Sequence, residues 1–262
     1  SPRQIAALVS RLPPGFRPPP HLAVALGGSR ISRELSRAVR LRLSANVTTS
    51  YGSTETGGMA TMPLGVAELH PQASGIVLPW NEVQIVDQSG NVLPEGEVGE
   101  VRMRSPDMAT SYLDDPEATS KYFRDGWFYP GDVGSLAANG ILSIVGRVDD
   151  VANIGGVKVA PDTIEEALAS IDGIVDVGAF MTREEPPRIV AAIVTTGTPD
   201  LEAARKVVNQ RLASGSVPLT FWQVAEIPRN SMGKVERAAL RAQALQARDR
   251  AAAAQAANRT AS

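Results

Sequence analysis

The feature that most constrains the fold is an apolar run followed by a glycine turn and a helical pattern near the start of the chain. Residues Leu22 to Leu26 form a short continuous apolar run, which suits a buried strand. Gly27 and Gly28 interrupt this run, and apolar residues then recur at helical spacing from Ile31 to Val39. A strand, a turn and a helix in this order are typical of an α/β layer with parallel strands.

Two further regions have different patterns. From about Glu82, short strand patterns and turn signals predict a small β-rich barrel or sandwich, with a helix that begins at Pro116. From Pro161 onwards, helix and strand patterns predict a small α+β domain with strands at 174–181, 189–194 and 221–224. We therefore divide the chain into residues 1–146, 147–240 and an Ala-rich tail at 241–262. Because the last 15 residues, Arg248 to Ser262, have no large apolar side chain to dock, they are expected to be a frayed helix extension or disordered.

Composition excludes several kinds of protein and site. The 262 residues include no cysteine and two histidines, which excludes disulfides, Cys-ligated zinc, iron–sulfur clusters and a thiol nucleophile and argues against a His-based metal site. The formal charge of −2 lacks the basic excess of a nucleic-acid-binding protein. The chain has neither an apolar run of about 18 residues nor a signal-peptide pattern at its start. We therefore expect a cytoplasmic protein with no membrane span.

Five segments carry residue types that suit nucleotide chemistry, at 50–58, 126–132, 146–150, 153–161 and 228–237. In the first, Tyr51 can hold a purine face, the hydroxyl residues after it can bind a phosphate, and the carboxylate of Glu55 can hold Mg²⁺. In the second, Asp132 follows a Pro-Gly turn and can accept hydrogen bonds from ribose hydroxyls. In the third, Arg147 offers a rigid fork of donors for ribose and phosphate oxygens.

The fourth segment suits close contact with a ligand, and the fifth carries a positive charge. Gly155 and Gly156 let the backbone approach a ligand, and Lys234 stands on a turn before a helix pattern. Each of the five segments also has a purely structural interpretation. In chain order, the five segments would then be a glycine-rich loop that closes a strand, a turn capped by its own Asp, a surface ion pair, a hairpin before a helix, and a turn with a solvated lysine.

In this order and spacing, the five segments resemble the acyl-CoA synthetases of the adenylate-forming superfamily. That superfamily also contains carrier-protein-loading adenylation domains and firefly luciferase. The resemblance covers about Leu22 to Leu240 and corresponds to the C-terminal half of such an enzyme. It implies an α/β and β-rich remnant of the large adenylating domain, followed by a small α+β C-terminal domain that swings about a hinge.

The resemblance also implies roles for individual residues. The adenine pocket would be lined by Gly28, Ser29 and Arg30, with Tyr51 stacked on the base beside Gly52. The ribose would be bound by Asp132 and Arg147, above Ile144. Thr54 would contact the α-phosphate, Glu55 would hold Mg²⁺, and Lys234 would serve the adenylation step. Asp149 would be the hinge, and Gly155, Gly156 and Lys158 would contact CoA.

The implied reaction activates a fatty, aromatic or similar carboxylic acid with ATP and transfers the acyl group to CoA. Two alternatives stay open: transfer to a phosphopantetheine arm on a carrier protein, and a non-catalytic nucleotide-binding relic. The Ser/Thr/Gly-rich phosphate loop of the family does not occur in these residues, so we expect the chain alone to be unable to form the adenylate. Pro130 stands where the family often has Thr, and Asn153 and Lys158 stand where Lys and Arg are common. Lys158 keeps the charge but lacks the bidentate fork of Arg.

Overall fold

The computed structural model describes residues 1–28, 31–70, 72–154, 157–184, 186–212, 217–230 and 233–260. The chain divides into two compact units, Ser1–Asp149 and Asp150–Ser262. Each unit has a hydrophobic core of its own, with Leu142 fully buried in the first and Leu168 fully buried in the second. The boundary predicted from the sequence, after residue 146, lies just before this division.

The first unit begins with an α/β layer. Its elements are α1 (Pro2–Arg11), β1 (Ala23–Gly27), α2 (Arg33–Arg42) and β2 (Asn46–Ser53). The side chain of Ser32 accepts a hydrogen bond from the amide of Leu35 and so caps the start of α2. Strands β1 and β2 pair in parallel, as the strand–turn–helix pattern predicts, and Val39 of α2 is buried in the core beneath them.

The rest of the first unit extends the same sheet. Its strands are β3 (Gly57–Pro63), β4 (Gly75–Val77), β5 (Glu82–Val86), β6 (Gly99–Arg104), β7 (Phe123–Arg124), β8 (Trp127–Phe128), β9 (Asp132–Leu136) and β10 (Ile141–Arg147), with short helices α3 (Leu64–Ala67) and α4 (Pro116–Tyr122). The strand order is β1-β2-β3-β4-β10-β9-β6-β8-β7, and β5 pairs with β6. The sequence pattern from about Glu82 predicts a small β-rich barrel or sandwich in this part of the domain. The strands instead join the α/β layer in one ten-stranded sheet, because the β2–β3 hairpin continues through β4 to β10.

The second unit is an α+β arrangement. Its elements are β11 (Ala152–Ile154), β12 (Val157–Val159), α5 (Pro161–Leu168), β13 (Ile174–Met181), β14 (Ile189–Thr195), α6 (Leu201–Arg211), β15 (Leu219–Gln223) and α7 (Arg237–Thr260). Strand β14 pairs antiparallel with β13 and parallel with β15. Apolar side chains of α5 and α6, including Ile164 and Val208, are buried in one core with those of the sheet.

Helix α7 runs without a break through the predicted boundary at residue 240. It has 24 residues, so the stretch from 248 to 260, for which we expected a frayed helix extension or disorder, belongs to this helix. Within the described ranges, no helix combines the length and the apolar character that crossing a bilayer requires.

Candidate nucleotide site and lysine turn

Tyr51, Asp132 and Arg147 lie together in the first unit. Tyr51 is on β2, Asp132 is the first residue of β9, and Arg147 is the last residue of β10. The hydroxyl of Tyr51 donates a 2.6 Å hydrogen bond to Oδ2 of Asp132. Nη1 of Arg147 donates a 3.0 Å hydrogen bond to Oδ1 of the same carboxylate. Arg147 and Asp132 face each other in the β10–β9 register, so the sheet itself brings them together.

The carboxylate of Asp132 is oriented by both neighbours and keeps the capacity to accept more hydrogen bonds. Its side chain is 14% exposed, whereas that of Arg147 is 48% exposed. An ionised carboxylate offers about four acceptor positions, and the bonds from Tyr51 and Arg147 occupy one on each oxygen. The remaining positions suit the two adjacent hydroxyls of a ribose.

The phenol of Tyr51 is a neutral donor. Burial, and then the negative charge of Asp132, raise the pKa of Tyr51 above its usual value. The phenol therefore keeps its proton throughout the physiological pH range. Its hydrogen bond to Asp132 fixes the orientation of the aromatic ring.

The turn before Asp132 requires glycine at position 131. Gly131 has a φ of +76°, a backbone conformation that residues with a side chain rarely adopt. A Cβ atom there would also lie 3.1 Å from Nη2 of Arg147. The guanidinium of Arg147 donates to the carbonyl oxygen of Pro130 as well, so it is held against the turn at two points. Arg147 therefore does form an ion pair, as its purely structural interpretation expects. The partner in that pair is Asp132, the other predicted ribose ligand.

Glu55 and Thr54 lie in the turn between β2 and β3, and Thr54 is exposed. Oε1 of Glu55 accepts a 2.6 Å hydrogen bond from the hydroxyl of Tyr112. Burial alone would raise the pKa of Glu55, but the hydrogen bonds from Tyr112 and from the backbone outweigh this effect and lower it. Burial and the bond to Glu55 raise the pKa of Tyr112 to about 12. At neutral pH the pair is therefore a carboxylate and a neutral phenol.

The hairpin that carries Tyr51 and Glu55 depends on a glycine. A Cβ atom at Gly52 would lie 2.1 Å from the carbonyl oxygen of Gly57, which is too close for any side chain. The register also shifts between Tyr51 and Gly52, as in a β-bulge. Gly52 therefore permits the close approach of β2 and β3 next to the candidate site.

The carboxylate of Glu55 fits a magnesium ion, because Mg²⁺ prefers oxygen ligands and usually keeps several waters and substrate phosphates. Glu55 is held in its ionised form. Within the described ranges, no group of three or more His, Cys, Asp or Glu residues could hold a metal ion. Glu55 could therefore act only together with oxygens of a bound phosphate and water.

Lys234 lies in the second unit, on a short turn closed by Asn230. The amide of Lys234 donates a 3.0 Å hydrogen bond to Oδ1 of Asn230, and the amide of Asn230 donates to the carbonyl oxygen of Lys234, also at 3.0 Å. The amide of Gly233 donates to the carbonyl oxygen of Asn230 at 2.8 Å. Lys234 is exposed at this turn.

The other predicted site residues are placed as follows. Ile144 is half-buried on β10 against the sheet core, and Gly28 is exposed after β1, with a φ of +92°. Asp149 is the exposed last residue of the first unit, and Lys158 is exposed on β12. The predictions for Ser29, Arg30, Gly155 and Gly156 lie outside the described residues.

Sequence reasoning missed two partners of the predicted residues, Tyr112 and Arg229. Tyr112, which binds Glu55, lies 57 residues further along the chain. Tyr112 lies outside the five segments that suit nucleotide chemistry. Arg229 lies inside the fifth segment, and it donates to the backbone next to Lys234.

Comparisons with known proteins point to one family. Residues 2–113 match the family model described as AMP-binding enzyme. YdaB of Bacillus subtilis (strain 168), which carries the name of an acyl-CoA ligase, is 32% identical over 226 residues, covering 84% of this chain and 44% of that protein.

Solved structures agree with this family. The amide bond synthetase McbA from Marinactinospora thermotolerans superposes with a TM-score of 0.74 at 29% identity, covering 84% of this chain and 47% of that one. The o-succinylbenzoate CoA synthetase MenE from Bacillus subtilis, in complex with its acyl-adenylate intermediate, gives a TM-score of 0.76 at 25% identity, covering 91% and 49%. MenE has also been solved with ATP and a magnesium ion.

These comparisons confirm the predicted fold class and the predicted family. The chain spans less than half the length of the curated relatives it matches, such as 44% of YdaB. Residues 2–113 belong to the AMP-binding enzyme family, and 84% of the chain aligns with part of an acyl-CoA ligase.

Proposed function

We propose that this chain is the nucleotide-binding and lysine-bearing part of an AMP-forming carboxylate–CoA ligase. The observation that carries the proposal is the shared carboxylate of Asp132, oriented by Tyr51 on one oxygen and by Arg147 on the other. The family match and the ligase relatives add support.

The nucleoside of ATP would be bound by the first unit. The acceptor positions that remain on Asp132 would take the two ribose hydroxyls, and Arg147 would donate to ribose and phosphate oxygens. The ring of Tyr51, fixed by its bond to Asp132, would stack on the adenine. The further nucleotide contacts would come from Gly28, Ser29, Arg30, Gly52 and Ile144.

The first half-reaction would be attack of the substrate carboxylate on the α-phosphorus of ATP, with departure of pyrophosphate. Such transfers depend mainly on positioning and on stabilisation of charge. Thr54 would donate to the α-phosphate, and the ammonium of Lys234 would neutralise charge that builds on the carboxylate and α-phosphate oxygens. Mg²⁺ bound by Glu55 would supply charge neutralisation on the phosphates.

The second half-reaction would be attack of a thiol on the acyl-adenylate, with AMP leaving. Neither half needs a covalent protein nucleophile, in agreement with a chain that has no cysteine. Asp149, at the end of the first unit, would be the hinge that exchanges the Lys234 turn for the Gly155, Gly156 and Lys158 face, since hinges are a few residues at the ends of elements.

We further propose that this chain binds AMP but does not form the adenylate without the phosphate-binding loop. No Ser/Thr/Gly-rich phosphate loop occurs in the 262 residues. The first candidate acyl acceptor is CoA, as the ligase relatives suggest. The match to an amide bond synthetase favours an amine as a second candidate acceptor, and a carrier-protein phosphopantetheine arm is a third.

The test uses the longest natural polypeptide that contains this chain. Adenylation is measured by ATP–pyrophosphate exchange over a panel of carboxylic acids, and acyl transfer is measured with CoA, amines and a phosphopantetheine-bearing carrier protein. Loss of one preorganised donor typically costs about 10²–10³ in rate, so Lys234→Ala should lower adenylation by at least that factor. Lys206→Ala, on the exposed face of α6, is the matched control. A normal adenylation rate with Lys234→Ala would refute the proposal.

A further inference from the structure

Arg229 joins the Lys234 turn to strand β13. Nη1 of Arg229 donates a 2.9 Å hydrogen bond to the carbonyl oxygen of Gly233, the residue directly before Lys234. Nη2 donates to Oδ1 of Asp176 at 2.6 Å and to the carbonyl oxygen of Val177 at 3.0 Å. A single guanidinium therefore connects the turn to two neighbouring residues of the strand.

This connection needs the planar fork of arginine. The side chain of Arg229 is 20% exposed and that of Asp176 is 39% exposed, so the pair is partly shielded from water. Charge-assisted hydrogen bonds of this kind are about twice as strong as neutral ones. A lysine ammonium is a point charge on a flexible stem and does not reproduce the fork geometry.

The hydrogen bonds that the structure describes between Asn230 and the backbone at 233–234 give the turn its shape. Its bonds to Asn230 close within the turn, and Gly233 has a φ of +84°, a backbone that loses much conformational freedom when it is ordered. On the far side of Lys234, Val235 packs in the apolar cluster around Phe180. On the near side, Arg229 anchors the carbonyl of Gly233.

We propose that Arg229 is a positioning residue for Lys234. This inference rests on the proposed role of Lys234 in adenylate formation. By holding the peptide group that precedes Lys234, Arg229 fixes the point from which the lysine side chain extends. A misplacement of about 1 Å can reduce a rate by about 10², so loss of Arg229 acts on the step that uses Lys234. The acyl-transfer step, which does not use this lysine, is unaffected.

The kinetic test compares the two half-reactions in the longest natural polypeptide that contains this chain. Arg229→Met should lower kcat for adenylation by about 10–100-fold, while KM for ATP and the rate of acyl transfer from chemically prepared acyl-adenylate stay close to those of the parent enzyme. Arg229→Lys should restore only part of the loss. Arg205→Met is the matched control, because Arg205 lies on α6 of the same unit and donates a 2.7 Å bond to the carbonyl oxygen of Leu219 rather than to the Lys234 turn.

A second measurement uses the present chain and needs no activity. Amide hydrogen exchange at Gly233 to Val235 should accelerate in Arg229→Met and stay unchanged in Arg205→Met. If Arg229→Met does not fold, Asp176→Asn provides the second variant, since it removes the charge that holds Arg229. It should lower adenylation selectively and by a smaller factor.

The outcomes separate this inference from the proposed function. If Lys234→Ala leaves adenylation normal, the role of Lys234 is wrong. If Lys234→Ala lowers adenylation while Arg229→Met and Asp176→Asn do not, the positioning role alone is wrong. Equal losses in both half-reactions with Arg229→Met would indicate a general effect on the second unit and would also overturn the inference.

Discussion

The hydroxyl of Tyr112 lies 2.6 Å from Oε1 of Glu55 and fixes the orientation of that carboxylate. The tyrosine ring is itself held by edge contacts, with centroids 6.1 Å from Tyr122 and 5.3 Å from Phe123. Its main-chain amide donates to Oγ1 of Thr119 on α4 at 2.9 Å. The phenol is therefore a donor in a fixed position, and it engages one oxygen of the proposed magnesium ligand.

Tyr112→Phe should weaken the binding of the Mg²⁺ that adenylation uses. The change removes the bond that lowers the pKa of Glu55 and leaves the burial that raises it. A hydrogen bond to a charged group contributes about 1.5–3 kcal/mol, so the Mg²⁺ concentration for half-maximal adenylation should rise about tenfold or more. The measurement is a Mg²⁺ titration of pyrophosphate exchange in the complete enzyme. Tyr122→Phe, which keeps the ring contact, is the control, and an unchanged titration curve with Tyr112→Phe would exclude the role.

Asp132→Asn should abolish most AMP binding by the present chain. The substitution keeps the size of the side chain, but it removes the charge that pairs with Arg147 and one acceptor oxygen of the site. The loss of charge-assisted bonds at about 1.5–3 kcal/mol each corresponds to an affinity at least about tenfold lower by titration calorimetry. Glu95→Gln, at an exposed position of the same unit, should bind AMP as the parent chain does. Equal AMP affinity in Asp132→Asn would remove the central support for the proposed nucleotide site.

Local elements could be predicted from the sequence where one signal dominates. Helices α4 and α5 begin at Pro116 and Pro161, because proline suits the first turn of a helix. Strand β13 has the predicted bounds, since Ile174 to Met181 is a continuous apolar-rich run. The order of the ten-stranded sheet was not predictable in this way. It places β10 between β4 and β9, and pairing over such distances in the chain leaves no local pattern.

The site shows the same limit at the level of side chains. Tyr51, Asp132 and Arg147 could be chosen one by one for their chemistry, and the β10–β9 register brings two of them together. The bond of Tyr112 to Glu55 depends on where the chain passes after β6, and Arg229 acts through the backbone of its neighbour. Neither relationship follows from residue type or spacing, so both required coordinates.

Arg237→Met should strongly destabilise the second unit. The side chain of Arg237 is 15% exposed and donates to Oε1 of Glu165 at 3.0 Å and to the carbonyl oxygen of Ala179 at 3.1 Å. It also pairs with Asp162 and, at 3.7 Å, with Asp150. Removing one partner of a buried ion pair costs about 3–5 kcal/mol, so the free energy of unfolding at pH 8 should fall by about that amount.

Urea denaturation measures the loss of unfolding free energy in Arg237→Met. Hydrogen exchange at the amides of β13 is the second measurement. Arg248→Met is a matched control on the same helix, because Arg248 and its partner Glu184 have side chains that are 63% and 55% exposed. An exposed pair contributes about 0–1 kcal/mol. If the two variants lose equal stability, the Arg237 contacts do not contribute as a buried network.

Glu165 should make the stability of the second unit depend on pH. Burial raises the pKa of Glu165 to about 7 and Asp162 adds repulsion, although Arg237, Arg229 and the amide of Ala179 favour its charged form. In the unfolded chain the group ionises near 4.5. Between these values the folded unit holds a proton that the unfolded chain has released. The contribution of this group is therefore complete below about pH 4.5 and is lost as the pH rises through about 7.

Glu165→Gln should remove this pH dependence. A tenfold change in a proton equilibrium corresponds to about 1.4 kcal/mol, so the unfolding free energy of the parent chain, relative to Glu165→Gln, should fall by on the order of 3 kcal/mol between pH 4.5 and pH 8. Urea denaturation across this range measures the difference. Glu166→Gln, on the same helix and paired with Arg211 nearer the surface, should keep the slope of the parent chain. If Glu165→Gln also keeps the slope of unfolding free energy against pH, protonation of Glu165 does not contribute to folding. The parent chain and the variant would then bind and release the same number of protons on unfolding.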